Sequence, residues 1–255
     1  MISQINNSVV KAFEILSLFN EGIEQISAAT LATRFGMNAV SAHRFLRTLE
    51  RTGALVAVSR GSYRLGYAIA DLGKRAADPG SLAGAVQPVL EKLTRDLGEG
   101  SMATIFDGEA AVCIAKAVAD RPLFVDVRKG SRLEAYATAH GKLWLAQLGE
   151  SDLDRYFERT DFRTMTEATA TTRAKLEAEL DDVRRKRVAY NRGERESEIH
   201  GIAVPVLARS GQMICGLSVF GASARMSDEA MDGFIPALRD AAKNLSLHLY
   251  GDSET

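Results

Sequence analysis

Three observations predict an α+β protein of two domains. Within the first 65 residues, helical periodicity is broken by a tight turn and followed by a short alternating hairpin. Asp78-Pro79-Gly80 is the clearest break in the chain. Beyond it, strand-like runs fall into two groups with amphipathic helices around them, the pattern of a mostly antiparallel sheet flanked by helices. The chain therefore divides into a winged helix-turn-helix at 1–66, a linker helix and hinge at 67–80, and a sensor-like domain at 81–255.

The first helix is placed by Val9, Val10, Phe13, Leu16 and Phe19, with Gly22 as its stop. Ser27 then suits an N-cap for a helix whose apolar face is Leu31, Ala32 and Phe35. Gly36-Met37-Asn38 breaks that helix, and Val40, Phe45, Leu46 and Leu49 mark the buried side of the next, which ends near Gly53. "ALVAVSRGSYRLG" alternates on both sides of a Ser-Arg-Gly-Ser turn, so it reads as a hairpin wing turning at Gly61.

Charge gives this unit a partner. Residues 1–75 carry nine Lys/Arg against five Asp/Glu, although the whole chain has a net charge of −1. Between 34 and 64, six arginines face only Glu50. A helix entering the DNA major groove needs small residues for close approach and forked donors for guanine edges and phosphates. Asn38, Ser41, His43, Arg44 and Arg47 fit that need, and Arg60 and Arg64 on the wing reach the flanking backbone or minor groove. Double-stranded DNA is the expected partner.

In the second part, "SLAGAVQPVLEKLTRDLGE" is an amphipathic helix and "SMATIFDGEAAVCIAKAV" two strands around an Asp107-Gly108 turn. "LFVDVR" reads as a third strand. Helices are expected at 138–149, 151–158 and 171–188, the last ending in the basic run 184–187, which complements the helix dipole. "GIAVPVLA" and "MICGLSVFGA" flank a Ser210-Gly211 turn, and a final helix starts at Ser227.

No apolar run is long enough to span a bilayer and the N-terminus has no export-signal pattern, so a soluble, cytoplasmic protein is expected. Cys113 and Cys215 sit in apolar runs and read as buried thiols. His140, His200, Cys215, Glu194, Glu196 and Glu198 are metal-ligand types without compact ligand spacing, so no metal and no cofactor is called.

"AYATAHGKLWLA" at 135–146 poses a separate question, since its Gly-Lys pair looks like part of a phosphate loop. The loop needs a first glycine where Tyr136 stands and Ser or Thr where Leu143 stands, so that reading fails. No catalytic residue is assigned. The small residues Ala137, Ala139 and Gly141 open a helix start to a carboxylate, with His140 as an added donor.

Across residues 8–250 the chain resembles the IclR family of bacterial transcription regulators. "SVVKAFEILSLF" is similar to that family's first helix, "ATLATRFGMNAVSAHRFLRTLERTGAL" to its helix-turn-helix and "YRLG" to the end of its wing. "VRKGSRLEAYATAHGKLWLA", "TTRAKLEAELDDVRRKRVAYNRGE" and "GIAVPVLARSGQMICGLSVFG" follow in its order and spacing. His140 stands where a small residue is frequent in the family. The resemblance implies a GAF-like effector-binding domain, a homodimer that can pair into a tetramer, and a near-palindromic operator. It implies an effector pocket at Val125, Leu133, Ala139, His140, Asn191, Ile199, Gly201, Ser218 and Phe220. A small organic acid is the expected effector, and repression of a catabolic operon the expected role. The alternatives are an enzyme or ligand-binding protein that uses the C-terminal pocket without DNA, and a regulator answering to a protein partner.

Overall fold

The computed structural model describes residues 5–19, 22–76, 79–121 and 127–251. The chain separates into two compact units, Met1–Asp78 and Pro79–Thr255.

In the first unit, α1 (Asn7–Leu16) is capped by the Asn6 side chain, which accepts from the Ser8 and Val9 amides. A short strand β1 (Ile26–Ser27) leads into α2 (Ala28–Phe35), where Ser27 and Thr30 form a reciprocal capping box. Gly36 ends α2 at φ 62°, and Asn38 caps α3 (Ala39–Arg51). The wing is β2 (Leu55–Ser59) and β3 (Ser62–Leu65), turning at Gly61 with φ 82°. β1 pairs with β3 to make a three-stranded sheet, order β1-β3-β2. α4 (Tyr67–Ala76) closes the unit. Ile15, Ile26, Leu31, Leu46 and Leu55 fill its core.

Two faces differ from expectation. α1 ends at Leu16 rather than near Gly22, and it turns Ala12, Ile15 and Leu16 to the core while Val9, Val10 and Phe13 stay exposed. The helix carries apolar residues on more than one side, and this small core has room for one of them. On α3 the buried stripe is Ala42, Leu46 and Leu49. Val40 lies well off that stripe on a helix of 3.6 residues per turn and is 79% exposed.

The second unit begins with α5 (Pro79–Leu97), so the proline and glycine of the expected break open a helix. Next come β4 (Gly100–Phe106), β5 (Ala110–Ala117) and β6 (Arg132–Glu134), then a 3-10 turn at Ala135–Ala137. Asp107 supports the β4–β5 turn by accepting the Glu109 and Ala110 amides. Most of the expected "LFVDVR" strand lies outside the described residues; Val127 and Arg128 are not strand, and the third strand is β6. α6 (Ala139–Leu145), α7 (Glu150–Arg159) and α8 (Arg173–Lys186) follow. α8 ends on Arg187 at φ 50° and feeds β7 (Ala189–Arg192), a short strand without a readable alternation of its own. β8 (Ile199–Leu207), β9 (Met213–Ala222) and α9 (Asp228–Tyr250), capped by Ser227, complete the fold.

These strands form one antiparallel sheet, order β6-β5-β4-β9-β8-β7. Strand periodicity assigns its faces. Ile202, Val204 and Val206 of β8 and Cys215, Leu217 and Val219 of β9 pack with α5 and α9. Their alternates, including Gly201, Ser218 and Phe220, face the other way, toward α6. On that side α6, α7 and α8 share a second core with the 3-10 turn.

α6 sits this close because residue 141 is glycine. A Cβ there would lie 2.1 Å from the Ala135 Cα and 2.2 Å from its carbonyl oxygen. Both obstacles are backbone, so the contact cannot be relieved by a rotamer change. Gly141→Ala is expected to destabilise the second unit by ~2–3 kcal/mol, read as a lower urea midpoint at unchanged slope. A shift corresponding to under ~0.5 kcal/mol would show that this approach is not required.

Candidate functional site

The outward surface of α3 presents Val40, His43, Arg44 and Arg47, all exposed, with Ser41 half-buried beside them. Arg47 stands 4.0 Å from Glu50, whereas Arg44 and, on the wing turn, Arg60 have no ion-pair partner among the described residues. Arg64 donates to the Leu65 carbonyl and lies over the Tyr67 ring, 5.6 Å from its centroid. The side-chain oxygen of Asn38 accepts the Ser41 amide at 2.8 Å and is committed to the helix cap, which leaves its amide nitrogen as the group it can offer outward. The same capping chemistry that starts α3 removes that acceptor.

In the second unit, the face of the sheet opposite α5 and α9 carries a cavity of about 430 Å³. Its floor is Met102 of β4, Gly201 of β8, and Ser218 and Phe220 of β9. Leu133, Ile199 and Val127 wall it, the start of α6 covers it with Thr138, Ala139 and His140, and Asn191 stands at its edge. Eight of the nine expected pocket residues thus line one cavity, and Val125 lies outside the described residues. Phe220 is seated between glycines on the two neighbouring strands. It pairs in register with Gly100 and Gly201, and a Cβ on Gly100 would lie 3.0 Å from its ring.

The rim holds what sequence reasoning missed: Arg128, Ser131, Arg132, Arg195 and Glu196. Arg132 is paired with Asp107 and Glu109, and Arg195 with Glu134 and Glu196. Arg128 has no ion-pair partner among the described residues. Alternation along β4 could have flagged Met102, but nothing local marks the rim arginines, which meet at the cavity only once the chain around 128, the edge strand β6 and the segment at 195 come together.

The helix start itself is less open to an anion than its small residues imply. Thr138 caps α6, its hydroxyl accepting the Gly141 amide at 3.2 Å and its carbonyl the Lys142 amide at 3.0 Å. Those two protons are therefore taken by the protein. His140 is also not a charged donor. It is 2% exposed, and burial pushes its pKa down to about 3, so the imidazole is neutral near pH 7. Nδ1 lies 2.9 Å from the Thr104 hydroxyl and Nε2 2.6 Å from that of Ser218. Gly216 makes room for this ring, since a Cβ there would lie 2.8 Å from Nδ1.

Lys142 points away from the cavity into the interior. Its side chain is 4% exposed, and Nζ donates to Glu179 at 2.8 Å and to Glu194 at 2.9 Å. Glu194 is in turn fixed by its amide donating to Asn191 Oδ1 and by its carbonyl accepting from the Thr169 hydroxyl. The next two residues are Arg195 and Glu196 of the rim. Cys215 faces the α5–α9 core rather than the cavity, and burial pushes its thiol up to about 12. Among the described residues there is no cluster of three His, Cys, Asp or Glu placed to hold a metal ion. No described helix is long and apolar enough to cross a membrane.

Residues 8–59 match the sequence model of the IclR helix-turn-helix domain, and residues 75–247 that of the bacterial transcriptional regulator IclR C-terminal domain. The HTH-type transcriptional regulator XynR of Escherichia coli (strain K12) is 30% identical, over 95% of this chain and 96% of its own. The crystal structure of the Thermotoga maritima IclR is 25% identical, superposes with a TM-score of 0.64, and matches over 96% of this chain and 99% of that one. A double mutant of the PobR inducer-binding domain from Acinetobacter, in complex with 3-hydroxybenzoic acid, is 26% identical with a TM-score of 0.60, over 64% of this chain and 97% of that one. The two matches follow one another along the chain in the order of its two units, and the chain belongs to the IclR family of bacterial transcription regulators.

Proposed function

We propose that this regulator binds a double-stranded operator through α3 and the β2–β3 wing, and that a small organic acid in the second unit's cavity controls that binding. The observation that carries the effector reading is the cavity's asymmetry. Apolar walls surround a few polar groups, and one rim guanidinium, Arg128, has no carboxylate partner among the described residues while its two neighbours have theirs. That is the composition of a small-molecule site, with an open counter-ion for one carboxylate. Leu133, Ala139, Ile199, Gly201 and Phe220 would shape the acid's apolar body; Asn191 and Ser218 would supply polar contacts, with His140 behind Ser218 and Val125 added by the family resemblance alone. The 3-hydroxybenzoic acid bound by the PobR domain supports this class of ligand.

On the DNA side, Arg44 and Arg47 would donate to guanine edges or phosphates, helped by His43, Ser41 and the free amide nitrogen of Asn38. Arg60 and Arg64 would hold the flanking backbone. Val40, exposed on the same surface, suits a thymine methyl. Val9, Val10 and Phe13 of α1 and Tyr67 and Leu72 of α4 are exposed apolar side chains of the first unit that would suit contact with a second copy of the chain. A homodimer of this kind would read a near-palindromic operator. The enzyme reading has one observation in its favour, the 2.6 Å contact between Ser218 and His140, and the polarity of that contact decides its weight.

Arg44→Ala is expected to weaken binding to a duplex from the gene's own upstream region by ~10-fold or more at physiological salt, measured by fluorescence anisotropy. Equal affinities would remove Arg44 from the interface. In calorimetric titration of the full chain with a panel of short aliphatic and hydroxybenzoic acids, at least one acid should bind, and Arg128→Ala should weaken it by ~10-fold or more. An unchanged affinity would reject the counter-ion role. Because His140 is held neutral and the acid ionised, affinity should stay flat from about pH 6 to pH 8. A charged imidazole would instead lose its attraction as pH rises through about 6.5, so a fall across that range would overturn the neutral assignment.

A further inference from the structure

A four-residue hydrogen-bonded chain runs from the interior to the cavity floor: Trp144 Nε1 to Thr104 Oγ1 at 3.4 Å, Thr104 Oγ1 to His140 Nδ1 at 2.9 Å, and His140 Nε2 to Ser218 Oγ at 2.6 Å. Its inner hydroxyl is sealed. Thr104 is 0% exposed and is not part of the cavity wall, whereas Ser218 lines the cavity. We propose that this chain is polarised toward the cavity, so that His140 acts as a neutral positioning residue making the Ser218 hydroxyl a hydrogen-bond donor to the effector.

The polarity follows from counting protons. The indole N–H can only donate, so Thr104 accepts from Trp144. Among the described residues the hydroxyl hydrogen of Thr104 has one acceptor within reach, the Nδ1 of His140. If Nδ1 carried the ring proton, Thr104 would accept from both sides and its own hydrogen would be buried without a partner, the arrangement that folded interiors avoid. With the proton on Nε2 instead, Thr104 donates to Nδ1, Nε2 donates to Ser218, and the single remaining hydrogen is that of Ser218. It points to the cavity, where an effector or water can accept it. Relocating the unmatched proton from a sealed site to an open one selects the Nε2–H tautomer.

Two consequences follow for the site. An effector that presents an acceptor oxygen to Ser218, as a carboxylate does, matches this polarity, whereas one that presents only a donor there leaves the hydroxyl's proton in need of another acceptor. Nor is Ser218 primed as a nucleophile. A general base needs a free lone pair facing the hydroxyl, and in this tautomer the nitrogen beside Ser218 carries a proton. The inference rests on the effector-cavity reading for its meaning, but the tautomer is a property of the effector-free chain and is measured without any ligand.

The test is long-range proton–nitrogen correlation NMR on the full chain labelled with 15N histidine, near pH 7 and without effector. The chain has four histidines, so the His140 pattern is identified by its disappearance in His140→Gln. We expect Nε2 to show the shift of a protonated ring nitrogen and Nδ1 that of an unprotonated one. Thr104→Val should add a measurable share of the Nδ1–H form, a change that mere loss of packing would not produce. The Nδ1–H form dominating in the unmodified protein would overturn the proposal and leave Nε2 free to act as a base on Ser218. A doubly protonated ring would overturn it as well. If the expected tautomer is found but no acid binds, the effector reading fails and the polarity stands.

Discussion

A buried ammonium organises the second unit. Lys142 cannot occupy the interior unpaired, since removing an isolated charge from water is prohibitive, and it is there only because Glu179 of α8 and Glu194 after β7 meet it. Its inward direction is forced by its neighbour. Gly141 presses α6 against the backbone of Ala135, which buries the whole of its first turn. The two carboxylates then tie α8 and the segment at 193–196 to the same helix. That segment carries Arg195 and Glu196 to the rim, so an ion pair outside the cavity anchors part of its edge. The Gly-Lys pair that resembles a phosphate loop is a packing device: the glycine permits the approach and the lysine locks it.

Around that frame the polar groups are largely satisfied internally. Among the described residues, no fully buried side-chain nitrogen or oxygen lacks a hydrogen-bond partner. This matters for recognition, because a site whose donors are already committed offers a ligand only what remains. The Gly141 amide goes to Thr138, and the ring of His140 is shared between two hydroxyls. Among the side chains of the described residues, the Arg128 guanidinium and the hydroxyl of Ser218 are two groups still open to a ligand. In the proposed reading, an anion would meet that guanidinium and that hydroxyl, with the neutral imidazole behind them.

The two units place their chemistry differently. In the first, the candidate DNA-binding groups are side chains on the outside of a small core, and Arg44 and Arg60 have no ion-pair partner among the described residues. In the second, they converge on a concavity between a sheet and the helix laid over it. Regulation requires that a ligand in the concavity favour one state of the DNA-binding half over another; equal affinity for both would shift nothing, however tight the binding.

Local chemistry was legible from the amino-acid order alone. Ser27, Gly36, Gly61, the Asp107-Gly108 turn and Ser227 each act within a few residues of themselves, and the helix-turn-helix, the wing and the main strand pairs are assembled from such signals. Most of the cavity was also legible, through family resemblance. Tertiary structure alone decided which side of an amphipathic helix is buried, as with Val40 and Phe13, because that depends on how much core is available to cover it. It also decided the charge of His140 and the direction of Lys142. Their partners Ser218 and Glu194 lie 78 and 52 residues further along the chain. Protonation and ion pairing are set by the surroundings in space, and the order of residues does not specify those surroundings until the sheet has closed.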